Sequence, residues 1–458
     1  MKKRTCILLL ILILAVGVSG FFGNPRHLHA QTSPADAAEE EKSSGAPPPI
    51  AAGETLTLAQ VIAITRANQP AIMAAKSNVI AGQSRVGQAE APYYPQINAA
   101  TGYDRLSPEG NMYGTTDDKS YDRLAAGIRA EQMLYDFGKT ATRVEIEKTN
   151  LDSSRADLNA ADDWAVYKAK LAYYDMLKIA RNKEVAAETV KQFEKHLEQA
   201  KGFFEAGVKP KYDVTKADVD LSSAKLLQIQ VKNNLRLARV VLNNAMGQPT
   251  APEYQIEDTL TFVPFTLPFA QALPMALSHR PDLKALMLKQ KMAQQTIDLA
   301  RKGDAPTLSG NAGAAYNGDI NTMDEGWSAG VALTIPIFNG HLTRHQVGEA
   351  QANADVLAAN VTSLQQTIYK EVEQNYLNLH EAEERISVTQ LTVQQAEENS
   401  RIASGRYSAG VGSPIEVTDA DILLVQAKAD HIQALYDYRL AQTSIEQAIG
   451  SASGESLP

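Results

Sequence analysis

The chain has 458 residues, with 44 lysines and arginines against 53 aspartates and glutamates, a formal charge of −9, and one cysteine, Cys6. The acidic balance disfavours nucleic acid and anionic lipid surfaces as partners. Because Cys6 precedes the first apolar run, the rest of the chain has no disulfide, no cysteine metal site and no lipid anchor.

Residues 1–30 begin MKKRTCILLLILILAVGVSG, a basic tip, an apolar run and then small residues, which reads as a secretory signal cleaved after Gly20 or Ala30. Residues 31–53 are rich in Ala, Pro, Ser and Glu and are expected to form a disordered leader. No later stretch holds 18 apolar residues in a row, so any membrane entry is made without transmembrane helices.

From residue 57 the pattern is helical to about Ala91, with Pro70 set to kink or break it. Two alternating stretches follow. Ile97, Ala99, Thr101 and Tyr103 oppose Asn98, Gly102 and Asp104, and Leu124, Ala126, Ile128 and Ala130 oppose Arg123, Arg129 and Glu131. Strands of about ten residues, apolar on one face and polar on the other, suit a membrane β-barrel. Lys139 to about Gly202 is a proline-free run rich in Ala, Gln, Glu and Leu, about 96 Å of helix at 1.5 Å per residue. A turn and a second helix, about Val214 to Met246, complete residues 57–250.

After a linker at 251–267, the sequence starts again. Residues 268–450 give a leading helix to about Lys302 with Pro281 aligned to Pro70, the strands TLSGNAGAAY and WSAGVALTI, a long helix from His341 to about Gly405, and a last one from Glu416 to Ile449. Residues 451–458 are a tail. Sliding Gly202–Gly247 onto Gly405–Gly450 matches 18 of 46 positions without a gap, and FGKTA answers NGHLT at the strand-to-helix junctions. The chain is a tandem duplication. Two shorter helices end to end match one long one, so each chain is expected to give four helical columns. Four strands cannot close in lipid, where open edges leave backbone groups unpaired. Two chains would give eight strands and three would give twelve.

The repeat, the PYYPQI and DAPTLS entries to the strand pairs, LYDFGK and PIFNGH at the junctions, and the two AGV turns together resemble the TolC-like outer-membrane efflux proteins over 57–450. The resemblance implies a mainly α chain with membrane β. It implies a homotrimer whose twelve-stranded barrel in outer-membrane lipid continues as a twelve-helix periplasmic tunnel, with a periplasmic adaptor linking it to an inner-membrane pump. The duct of such an efflux or type I secretion system is passive, with no cofactor.

GFFEAGVKPKYDV and GRYSAGVGSPIEV lie where a long helix reverses. Gly207 and Gly410 supply a positive φ, Pro210 and Pro414 stop continuation, and Val208, Val411 and Asp213 complete the tips expected at the periplasmic mouth and its adaptor contact. The resemblance places an entrance pair of acids at Glu416 and Asp419, three apart on one helix face, where trimeric rings would attract cations. The aligned first-repeat residues are Asp213 and Lys216. Tyr407 aligns with an entrance residue and is a candidate gate contact. Some relatives carry a closing arginine where this chain has Gly412. Tyr103, Tyr316 and Trp327 are candidate membrane-interface aromatics.

His341 and His345 are four apart, but without an HExxH motif and at a junction they do not make a metal site. No phosphate loop, nucleophile elbow or paired acids in a cleft points to an enzyme. The main alternative is a periplasmic coiled-coil adaptor, which lacks four alternating strands. A constitutive diffusion pore needs neither long helices nor two tips. Whether the cargo is a protein or a small molecule is not written in the chain.

Overall fold

The computed structural model describes residues 50–106, 121–319 and 322–450. The signal at 1–30, the leader as far as residue 49 and the tail at 451–458 lie outside these residues.

The first half runs β1 (Thr55–Leu56), α1 (Leu58–Asn68), α2 (Pro70–Glu90), a 3-10 turn, β2 (Gln96–Leu106), β3 (Tyr121–Tyr135), α3 (Lys139–Glu205) and α4 (Lys211–Ala245). After β4 (Gln255–Ile256) the order returns as α5 (Phe269–His279), α6 (Pro281–Arg301), β5 (Thr307–Asp319), β6 (Thr322–Thr334), α7 (Leu342–Ser408) and α8 (Pro414–Ala448). Both long helices have 67 residues, about 100 Å each.

Local chemistry sets the boundaries. Thr57 and Gln60 form a capping box at α1: the Gln60 amide N–H donates to Thr57 Oγ1 at 3.2 Å, and the Thr57 N–H donates to Gln60 Oε1 at 2.8 Å. Pro70 and Pro281 begin α2 and α6, where the missing N–H has no intrahelical partner to lose. Pro414 likewise starts α8 rather than only stopping α7, with the Ser413 hydroxyl accepting from the Ile415 N–H. Each strand-to-helix junction needs two consecutive left-handed residues, Phe137 and Gly138 in one repeat, Gly340 and His341 in the other.

The column arithmetic needs one correction. The leading stretch does not stack as a unit, because the proline break detaches α1 and α5. The end of α4 instead meets the start of α2: Gln69 Nε2 donates to the Ala245 carbonyl at 2.9 Å. A Cβ on Gly247 would lie 2.5 Å from the Asn68 carbonyl oxygen, and one on Gly450 would lie 3.0 Å from Arg280 Cα in the second repeat. Freed, α1 and the linker build a core of Leu56, Val61, Tyr173, Leu242, Tyr254 and Leu260 that is continuous with Ile368, Tyr438 and Ile445 of the second half. Tyrosine hydroxyls pin the linker, Tyr173 donating to the Glu257 carbonyl at 2.6 Å, Tyr376 to Leu267 at 2.7 Å and Tyr438 to Val263 at 2.9 Å.

Side by side, α2 and α4 pack on α3, α3 on α6 and α8, and these on α7. The two outermost columns therefore keep one flank without a neighbour in the chain. Val219, Leu226 and Val240 on α4, and Val388, Leu391 and Ile402 on α7, are exposed there at coiled-coil spacings.

Candidate functional site

Two regions hold the residues singled out by sequence. The first is the four-stranded sheet, ordered β2-β3-β5-β6 and antiparallel throughout, with β2 and β6 as open edges. Directly opposed residues share a face, so the register joins the four alternating patterns into one surface. Ile97 faces Ala130, Ala99 faces Ile128 and Tyr103 faces Leu124. Ile128 faces Ala314, which faces Trp327, while Leu308 faces Leu333. The opposite face collects Asn98, Arg129, Asn311, Ser328 and Glu131, with an Arg129–Glu131 ion pair at 3.5 Å. Tyr103 and Tyr316 sit at the loop end of the apolar face and donate to Asp122 at 2.8 Å and Glu325 at 3.3 Å. Trp327, next to them in register, is 83 % exposed. Exposed Tyr93, Tyr94, Tyr135, Phe137 and Phe338 mark the other end. Sequence alternation missed this second aromatic group because all of it but Tyr135, the last residue of β3, lies in the turns beyond the strands.

The second region is the pair of helical tips. Each long helix ends in a left-handed glycine, Gly207 at φ 71° and Gly410 at φ 81°. The following amide reaches back across the turn, Val208 to the Phe203 carbonyl at 2.9 Å and Val411 to Arg406 at 3.1 Å. Val208 and Val411 are exposed, as are Gly207, Pro210 and Gly410. Pro414 is half-buried, and Asp213 is buried at 4 % exposure, so its carboxylate is not on the tip surface.

Asp213 faces inward to Tyr407. That ring packs edge-on to Phe203, with centroids 5.6 Å apart. Its hydroxyl is buried without a hydrogen bond, while Asp213 stands within electrostatic reach but outside bonding geometry. Burial first, and the Asp213 charge second, push the phenol above its ordinary value. Tyr407, Asp213, Asp220, Thr418 and His196 line a void of about 20 Å³ between the hairpins, room for one water.

Glu416 and Asp419 are both exposed on α8. Glu416 is partnered inside the tip, accepting from Arg406 Nε at 3.4 Å, whereas Asp419 has no bond or ion pair within the described residues. Deeper in, the hairpins are joined by buried Asp421, which accepts from Gln192 Nε2 at 2.6 Å and Ser400 Oγ at 2.6 Å and lies 3.0 Å from His196 Nε2. Sequence reading missed this cluster. Asp421 was visible only as a repeat-conserved letter matching Asp218, and its partners are distant in the chain.

His341 packs against the Phe338 ring at 5.5 Å. Among the described residues no three His, Asp or Glu side chains converge as a metal site, and no helix is long and apolar enough to cross a membrane.

Comparison with known proteins gives a consistent result. The family described as "Outer membrane efflux protein" matches residues 61–248 and 272–451. Outer membrane protein TolC of Vibrio cholerae is 23% identical over 412 residues, 87% of this chain and 92% of the relative. Protein CyaE of Bordetella pertussis is 25% identical over 425 residues, 89% and 86% of the two chains. The Campylobacter jejuni CmeC outer membrane channel superposes with a TM-score of 0.77 at 17% identity, covering 94% of each chain.

Proposed function

Because this chain belongs to the outer membrane efflux protein family, and is an outer-membrane exit duct reaching into the periplasm, we propose that it works as a homotrimer serving a tripartite export system. The observation that carries this is the open sheet. Its apolar face is continuous over four strands, yet β2 and β6 have free edges, which lipid does not tolerate. Three copies pair β6 of one with β2 of the next and close twelve strands. The same rotation sets the exposed stripe of α7 against that of α4 and closes the helical wall. The repeats 57–250 and 268–450 thus each give two strands and two columns.

The apolar face meets outer-membrane lipid, with Tyr103, Tyr316 and Trp327 at one interface, and the small and polar residues around Arg129 and Glu131 line the lumen. The tips lie at the far, periplasmic end. Gly207, Val208, Pro210, Gly410, Val411 and Pro414 form the surface offered to a periplasmic adaptor, through which an inner-membrane pump supplies the energy, and Asp213 supports that surface from within. Glu416 and Asp419 ring the mouth, and Tyr407 is its gate contact. The duct itself hydrolyses nothing.

The test is the mass of the detergent-extracted protein by light scattering, followed by planar-bilayer recording with Glu416→Ala and Asp419→Ala combined. A trimer with small cation-selective currents that lose selectivity in the double variant is the expected result. A soluble monomer without conductance overturns the duct, and unchanged selectivity overturns the acidic mouth.

A further inference from the structure

Where α6 ends beside the first turns of α3, six polar side chains line a cleft of about 450 Å³: Thr142 and Glu145 on one wall, Gln295, Asp298, Arg301 and Lys302 on the other. Small-molecule sites commonly occupy about 300–1,000 Å³. Gln295 is only 8 % exposed, and its Nε2 donates to Glu145 Oε1 at 2.9 Å. A carboxylate only accepts, so the amide nitrogen must face Glu145 and Oε1 is turned away from it. That oxygen is buried with no hydrogen-bond partner among the described residues. It calls for a donor from outside the chain.

The charges in the cleft balance. Lys302 Nζ uses two N–H groups on the Gly138 carbonyl at 3.2 Å and Thr142 Oγ1 at 2.6 Å, and keeps a third. Arg301 reaches Asp298 through Nη1 at 3.3 Å, with its other donors left for a ligand. Two cations and two carboxylates, Glu145 and Asp298, sum to zero. Such a set suits neither a lone anion nor a lone cation, but a ligand that carries both charges and brings an N–H to Gln295.

The cleft also lies at a telling depth. Glu145 stands six residues along α3 from Lys139, about 9 Å, and exposed Tyr135 and Phe137 come directly before that helix. The headgroup layer beyond the hydrocarbon is about 5–7 Å thick on each side of a bilayer. The cleft faces outward as well. Glu145 precedes Tyr173 by four heptads, which keeps the two on one face of a supercoiled helix. Tyr173 is covered by α1 and the linker, and three copies of that layer inside the wall would fill the lumen.

We propose that this cleft binds the headgroup of phosphatidylethanolamine from the periplasmic leaflet, one lipid per protomer. The inference rests on the duct reading, which puts this junction at the membrane surface. The phosphate sits between Arg301 and the remaining N–H of Lys302. The ammonium donates to Gln295 Oε1 and is neutralised by Glu145 and Asp298. A choline headgroup has no N–H and leaves Gln295 unsatisfied, while a glycerol headgroup brings net negative charge against two carboxylates. Three such lipids around the trimer set the depth of the barrel in the bilayer.

The test is native mass spectrometry of the delipidated, detergent-extracted protein, titrated with phosphatidylethanolamine, phosphatidylcholine or phosphatidylglycerol of identical acyl chains. Wild type, Gln295→Met and Arg301→Met are compared. Wild type is expected to take one phosphatidylethanolamine per protomer about tenfold more tightly than either other lipid, as satisfying a buried acceptor implies. Gln295→Met should erase the preference over phosphatidylcholine without changing phosphatidylcholine binding. Arg301→Met, at an exposed position, should weaken all three. Equal binding of phosphatidylethanolamine and phosphatidylcholine by wild type overturns the proposal, and so does a Gln295→Met protein that keeps the preference. Tighter binding of phosphatidylglycerol would mean a plain anion site and overturns it too. A trimer that conducts but fails these comparisons loses only the headgroup site, whereas protein that neither conducts nor binds any of the lipids loses the duct.

Discussion

Replacing Gly247 by alanine puts a methyl group where α4 ends against the break before α2. Gly247 has φ 69° and Gly207 has φ 71°, so both substitutions share the left-handed penalty of about 1 kcal/mol. Their surroundings differ. Nothing lies within 4 Å of the Gly207 Cβ position, whereas the Gly247 methyl would sit 2.5 Å from the Asn68 carbonyl oxygen and 2.7 Å from its carbon. Those neighbours are backbone and cannot rotate away, so crowding adds about 1–3 kcal/mol. Gly207→Ala is therefore expected to lose about 1 kcal/mol and Gly247→Ala about 2–4 kcal/mol. Guanidinium titration of the detergent-extracted protein, followed by circular dichroism at the helical band, measures the difference between the two midpoints. Equal shifts would refute the end-to-end abutment of the columns.

Other expectations follow from individual contacts. Phe137 and His341 hold positive φ without being glycine; Phe137→Gly and His341→Gly should each relieve about 1 kcal/mol of strain, raising the same midpoint. Burial first, and the neighbouring Asp162 charge second, raise Asp163 to about 6. Its folded value lies above the unfolded one, so the folded state holds the extra proton and stability falls as pH rises from about 4 to about 6. Since Asp163 is partly exposed, the loss is discounted to the order of 1 kcal/mol. Asp163→Asn should flatten that slope and stabilise at pH 7, read by melts across the range. At the mouth, Arg406 already offsets Glu416, so Asp419→Ala alone should lower cation selectivity more than Glu416→Ala alone, as reversal potentials in a salt gradient would report.

Periodicity made the strands and long helices legible, because each pattern depends on near neighbours. Tyr103, Trp327 and Tyr316 fell on one face as alternation required, and both proline breaks occurred where the aligned prolines stood. Where the structure went further, the causes were contacts between distant residues. The detachment of α1 depends on a core shared by Leu56, Tyr173 and Leu260, and no local pattern encodes that pairing. Asp213 has an acid's composition at a helix start, which reads as a solvated position, yet Tyr407 from the other repeat covers it.

The sheet also imposes an order of events on folding. Its two hairpins, β2 with β3 and β5 with β6, are nearest neighbours in the chain, but the seam between β3 and β5 joins Tyr135 to Leu308 across residues 136–307. Bringing such distant ends together is slow in an open chain. Once α3 and α4 have folded back on each other, that intervening segment becomes a compact lever that delivers β5 to β3. Helices thus form ahead of the seam, and the apolar sheet face is completed last. A newly exported chain can cross an aqueous compartment without displaying a finished lipid-seeking surface until its scaffold is built.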